Sequence, residues 1–105
     1  MAQFTVYRNK NLKSKAEIPY LLNVQSDLLS GLATRVVIPI FQKQASGFMP
    51  LTKLTPEIQI DGDTFLLMTP QLAGIAVTDL GDPVCELSQH RGDVISAIDL
   101  LITGF

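Results

Sequence analysis

Few side chains in this chain are suited to bond-making chemistry. His90 is the only histidine, so a histidine-based metal site would lack its second ligand. It reads as a surface residue of a helix. Cys85 is the only cysteine and falls in the first turn of an expected helix, where the dipole lowers a thiol pKa. No second thiol or imidazole accompanies it, so it reads as filler. Asp61 and Asp63 flank Gly62 and read as turn residues rather than metal ligands. Arg91-Gly92-Asp93 matches an adhesion tripeptide and should sit on a helix. There is no Walker loop, no GxGxxG, no paired cysteines and no HExxH. If the chain cut RNA, Thr34, Arg35 and His90 would be its candidates. No catalytic constellation stands out, and no residue pattern calls for a cofactor or metal.

Residues suited to contact are more prominent. Arg8, Lys10, Lys13 and Lys15 crowd eight positions, although the whole chain is acidic at −2. Residues 1–55 carry seven cations and two anions; residues 56–105 carry one cation and eight anions. The basic run is either a solvated hairpin loop or a docking patch for an acidic partner segment. It is too small, in too acidic a chain, for nucleic acid as a direct ligand. Leu28 and Leu29 are adjacent within a stretch of turn formers, Asp27, Ser30 and Gly31. They are either plugs at a barrel end or an exposed contact.

The elements that must position these residues are mostly strands. Phe4 and Val6 alternate with polar neighbours, and Ile18, Tyr20, Leu22 and Val24 alternate again after a polar loop at 9–17. Thr34 to Ile40 is β-branched and nearly continuous, as in a strand buried on both faces; Pro39 should end its ladder or put it on an edge. Gln42 to Pro50 reads as a loop. Leu54, Ile58 and Ile60 lead into Asp61-Gly62, the strongest hairpin signal, with Thr64 to Thr69 as the returning strand. Ile75 to Thr78 is a last short strand. Asp82-Pro83 then reads as a helix start. Val84, Leu87, Val94, Ile98 and Leu101 form one apolar stripe after it, with Ile102 to Phe105 as a tail. Gly92 would kink that helix or restart it with Asp93 as a second cap.

With 105 residues the chain makes one domain. Apolar residues are 47% and charged residues 17%, which excludes disorder and leaves apolar surface for a dimer to cover. No apolar run approaches the roughly 18 residues a membrane span needs. The first residues carry no signal-like core, and the cytoplasm is the expected compartment.

Val24-Gln25-Ser26-Asp27-Leu28-Leu29, Arg35-Val36-Val37-Ile38-Pro39-Ile40, Leu67-Met68-Thr69, Glu86-Leu87-Ser88 and Ala97-Ile98-Asp99-Leu100 resemble the CcdB family, toxins of the ccd toxin–antitoxin modules. Gln3-Phe4-Thr5-Val6-Tyr7 fits as well, so the resemblance spans nearly the whole chain in order. It implies a mainly β fold with one C-terminal α-helix, an SH3-like barrel of the CcdB/MazF toxin type, forming a two-fold symmetric dimer. It implies a function that is not catalysis: binding to the A subunit of DNA gyrase, trapping that enzyme while its DNA is cut. A cognate CcdA-like antitoxin would neutralise the toxin and repress the operon with it, touching DNA only through that complex. The positions matching the gyrase-binding end are Asp99, Thr103, Gly104 and Phe105, with Leu28 and Leu29 near the same surface. Arg8, Lys10, Lys13 and Lys15 match part of the antitoxin site. Thr103 departs from the family tryptophan, which stacks on a gyrase arginine for roughly 0.5–2 kcal/mol. The alternatives are a MazF-like endoribonuclease and a target-silent homologue that acts only with the antitoxin.

Overall fold

The computed structural model describes residues 2–43 and 53–104. Seven strands and one helix follow in order. They are β1 (Thr5–Asn9), β2 (Tyr20–Asn23), β3 (Thr34–Gln42), β4 (Glu57–Ile60), β5 (Asp63–Leu67), β6 (Ala73–Ala76), β7 (Leu80–Glu86) and α1 (Arg91–Thr103). All strand pairs are antiparallel, in the order β4-β5-β3-β2-β1-β7, and β6 also pairs with β3.

β3 is the spine. One edge pairs with β2, from Tyr20 opposite Ile40 to Asn23 opposite Val37. The other edge is shared: Thr34 to Val37 pair with β6, and Ile40 to Gln42 pair with β5. Side chains alternate across a strand, so its continuous apolar run feeds two clusters. Val6, Leu22, Ile38, Ile40, Ile58, Ile60, Phe65 and Leu67 form the main core, which Val94 of α1 covers. Tyr7, Leu21, Val37 and Leu80 form a second cluster from the intervening positions. The sheet curls around the main core as an open half-barrel. Each fully buried leucine or isoleucine contributes about 1.5–3 kcal/mol.

The expected strands and the Asp61-Gly62 hairpin are present. Asp61 and Gly62 both have positive φ, 52° and 85°, as the tight turn between β4 and β5 requires. Three expectations need correction. Pro39 does not end its ladder: it pairs with Leu21 inside β3, and its carbonyl accepts from Met68 N at 2.8 Å. A residue's N and C=O face the same side of a strand. The missing amide therefore falls where the partner of β3 changes from β6 to β5, and costs no regular bond.

The helix does not begin at Asp82. Residues 80–86 are strand β7 along β1, with Val6 opposite Cys85 and Tyr7 opposite Pro83. β7 is an edge strand, and register shifts lie on both sides of Tyr7. Those are the two settings in which a sheet tolerates proline. A short turn at Ser88–His90 follows, then α1 starts at Arg91 with Gly92 in its first turn, close to the expected restart. His90 is the cap position but makes no side-chain cap bond; Asp93 lies in the first turn, at the positive end of the dipole. The third correction concerns the tail: Ile102 and Thr103 are still helical. Gln42 belongs to β3, and the loop expected onward to Pro50 lies outside the described residues from 44. Among the described residues no helix is long and apolar enough to cross a membrane.

Candidate functional site

The Leu28 loop is held from several sides. Asp27–Leu29 form one 3-10 turn, capped by Ser26, whose Oγ accepts from Leu28 N at 3.2 Å. The Asp27 carboxylate accepts from the backbone amide of Gln3 at 2.7 Å, tying the loop to the N-terminal segment. Gln25 is buried; its Nε2 donates to Leu29 O at 3.0 Å and its Oε1 accepts from Val36 N at 3.1 Å. Arg35, also buried, donates to two carbonyls of the same loop, those of Ser30 and Leu32, and to the carbonyl of Thr34 at the start of β3. Gln25 and Arg35 hold the loop from its buried side and the leucines point out: Leu28 is 94% exposed, Leu32 53% and Leu29 50%. The pair is thus exposed and not a barrel plug. Leu32 is a third member that sequence reasoning missed; its position just past Gly31 was the available signal.

The helix end forms a second apolar surface. Val94 and Ala97 are buried, and Ile95 and Ile98 pack at the margin of the main core. One turn later the helix has run past the sheet. Leu101, Ile102, Thr103 and Gly104 are exposed, Ile102 by 72%. Gly104 ends the helix in the left-handed conformation at φ 78°, its amide donating to Leu100 O at 3.0 Å. Thr103 Oγ1 donates to Asp99 O at 2.6 Å, so these two expected contact residues are joined through one turn of backbone. Phe105 lies outside the described residues.

The basic residues fall into two groups. Lys10, Lys13 and Lys15 are exposed on the β1–β2 loop. Asn9 organises that loop: its Nδ2 donates to Ser14 Oγ and Ile18 O, and its Oδ1 accepts from Asn11 N. Arg8 sits apart on β1, its guanidinium 6.0 Å from the centre of the Tyr20 ring. Leu12 stands between the lysines with 79% of its surface exposed. Its place in a polar run was a signal that the charge pattern obscured.

The residues considered for chemistry are placed otherwise. Cys85 lies on β7, not at a helix start, and its pKa is raised: by burial first, then by the carboxylates of Asp61 and Glu86. That corrects the expectation of a lowered value. Glu86 is held below its ordinary range by accepting from the Ser88 hydroxyl and amide. Thr34 is exposed at the start of β3, and His90 is half-buried at the cap position of α1. The neighbouring Arg91 of the Arg-Gly-Asp tripeptide lies 5.7 Å from the centre of the Phe4 ring, on the helix as expected. Among the described residues no group of three or more His, Cys, Asp or Glu could hold a metal.

A curled antiparallel sheet covered by one C-terminal helix is the fold of the small MazF- and CcdB-type toxins. The solved structures it resembles include an endoribonuclease in complex with its cognate antitoxin from Mycobacterial species, at TM-score 0.76 and 13% identity over 97% of this chain and 94% of that one. Mycobacterium tuberculosis toxin MazF-mt6 matches at TM-score 0.73 and 15% identity, over 92% and 94%. At such identities the likeness is one of fold. The family model described as CcdB protein matches residues 3–104, and the chain belongs to the CcdB family.

Proposed function

We propose that this protein is the toxin of a type II toxin–antitoxin system, and that it acts by binding rather than by catalysis. Its target is the A subunit of DNA gyrase, which it traps on cut DNA. The observation that carries this reading is the helix terminus from Leu101 to Gly104, apolar, exposed and closed by a glycine cap. Membership of the CcdB family supports it. Asp99, Thr103, Gly104 and Phe105, with Leu28 and Leu29, are the gyrase-facing residues. The protein works as a two-fold symmetric dimer in the cytoplasm. A CcdA-like antitoxin with an acidic segment docks on Arg8, Lys10, Lys13 and Lys15, and the pair represses its own operon. DNA is met only through that complex. A gyrase supercoiling assay tests the proposal. Inhibition that disappears when Gly104-Phe105 is deleted from a still-folded protein supports it; full supercoiling at high micromolar toxin counts against it.

The likeness to mycobacterial endoribonucleases favours a second reading, RNA cleavage. Of its candidates, Arg35 has its guanidinium committed to backbone carbonyls, which leaves it poorly placed to meet a phosphate. Incubation with total RNA discriminates, since cleavage overturns the binding mechanism. The threonine at 103 motivates a third reading, a homologue silent on gyrase that serves only with the antitoxin. Growth arrest on expression without an antitoxin excludes it.

A further inference from the structure

Arg35 is 5% exposed, yet the groups its guanidinium meets among the described residues are backbone carbonyls, which carry no charge. Its guanidinium donates to Ser30 O at 2.6 Å, Leu32 O at 2.5 Å and Thr34 O at 2.8 Å. Taking a cation out of water costs several kcal/mol unless it is compensated. Here the compensation comes from three carbonyl dipoles, and two of them, those of Ser30 and Leu32, stay in place only while the loop keeps its shape. Charge and loop geometry are therefore coupled: opening the loop strands the cation. The planar fork of an arginine can span three divergent acceptors, whereas the compact ammonium of a lysine cannot. Gln25 grips the same loop at Leu29 O while its other amide atom is fixed by Val36 N. The two grips are independent, one reaching from the end of β2 and the other from β3.

We propose that Arg35 and Gln25 are positioning residues, which hold the loop pre-formed so that Leu28, Leu29 and Leu32 dock as a rigid apolar knob on the protein target. This rests on the reading that Leu28 and Leu29 face gyrase. A loop ordered before encounter does not pay its ordering entropy on binding, and that is the advantage a buried arginine confers here. A merely structural arginine would change the melting temperature and leave the affinity of the folded protein alone.

The test uses full-length protein, the gyrase A subunit as probe, and three readouts: thermal melting, amide hydrogen exchange over residues 28–33, and affinity by calorimetry. Arg35→Lys is expected to keep its circular dichroism spectrum, to exchange faster in the loop, and to bind about tenfold more weakly, the scale set by ordering a few residues on binding. Leu28→Ser is expected to lose affinity with loop exchange unchanged. Faster exchange in Arg35→Lys with full affinity overturns the positioning role, and unchanged exchange overturns the clamp. If Arg35→Lys exchanges faster but Leu28→Ser binds gyrase fully, the failure lies in the assignment of the surface, and the proposal falls with it. Should Arg35→Lys not fold, Gln25→Ala releases the loop from its other side and is judged by the same outcomes.

Discussion

Thr103 donates its hydroxyl to the Asp99 carbonyl one turn back along α1, at 2.6 Å. The hydroxyl is thus turned onto its own helix, and Thr103 offers a partner little beyond a methyl group. Replacing it by the family tryptophan should strengthen binding to the gyrase A subunit by about 0.5–2 kcal/mol, the range of a cation–π contact. A titration of Thr103→Trp against the parent checks this. Thr103→Val should change neither affinity nor stability appreciably, because the lost bond is exposed and local.

The two halves of α1 should separate fold from binding. Val94 is fully buried against the sheet, and Val94→Ala should cost about 2 kcal/mol of stability in urea titration, from two lost methyl groups and the space they leave. Ile102 is exposed, so Ile102→Ala should stay within about 0.5 kcal/mol. Its effect should appear instead in gyrase binding or in the dimer measured by sedimentation.

Gly62 tests the turn chemistry. Its φ is 85°, and a Cβ built there would meet nothing within 4 Å. Any cost of Gly62→Ala is therefore backbone strain alone, about 1–2 kcal/mol by denaturant melting. Asp61→Asn should be neutral for the turn, since asparagine also accepts positive φ.

The raised pKa of Cys85 has a definite sign. The folded protein holds the thiol proton more tightly than the unfolded chain does. The stabilisation it supplies is therefore complete below the ordinary value of 9.0, and is lost as pH rises through the higher folded value. Cys85→Ser should remove that alkaline loss. Iodoacetamide should modify Cys85 more slowly than a free thiol at pH 8, and Asp61→Asn should speed it by removing a carboxylate that favours the protonated form. Glu86 behaves oppositely: its contribution is present above the ordinary 4.5 and is lost as pH falls.

Lys10, Lys13 and Lys15 are exposed, so the attraction proposed between them and an acidic antitoxin segment would act through water and salt. Association of the antitoxin should slow as ionic strength rises. Replacing the three lysines by alanine should flatten that dependence and mainly lower the on-rate. Leu12→Ser should instead speed dissociation, because Leu12 is the apolar side chain exposed among them. Stopped-flow measurements at several salt concentrations distinguish the two effects.

Local signals carried much of the architecture. Alternation marked β1 and β2; Asp61-Gly62 marked the hairpin between β4 and β5; and the leucines among turn formers narrowed Leu28 and Leu29 to a plug or an exposed pair, of which the second holds. These features were legible because each depends on a few neighbouring residues: a side-chain period of two, or a backbone angle that few residues accept. The segment 80–90 was not legible in that way. Val84 and Leu87 are spaced three apart, as on a helix, and Asp82-Pro83 has the composition of a helix start. What made 80–86 a strand was β1, some 75 residues earlier, whose free edge needed a partner. Tertiary pairing also decided that Pro39 falls at a break in the ladder, and that Arg35 turns inward onto carbonyls rather than outward to a ligand. Residue types alone could name the groups available for contact. Only the curled sheet, by satisfying backbone bonds between distant segments, settled which groups were spent inside and which were left facing solvent.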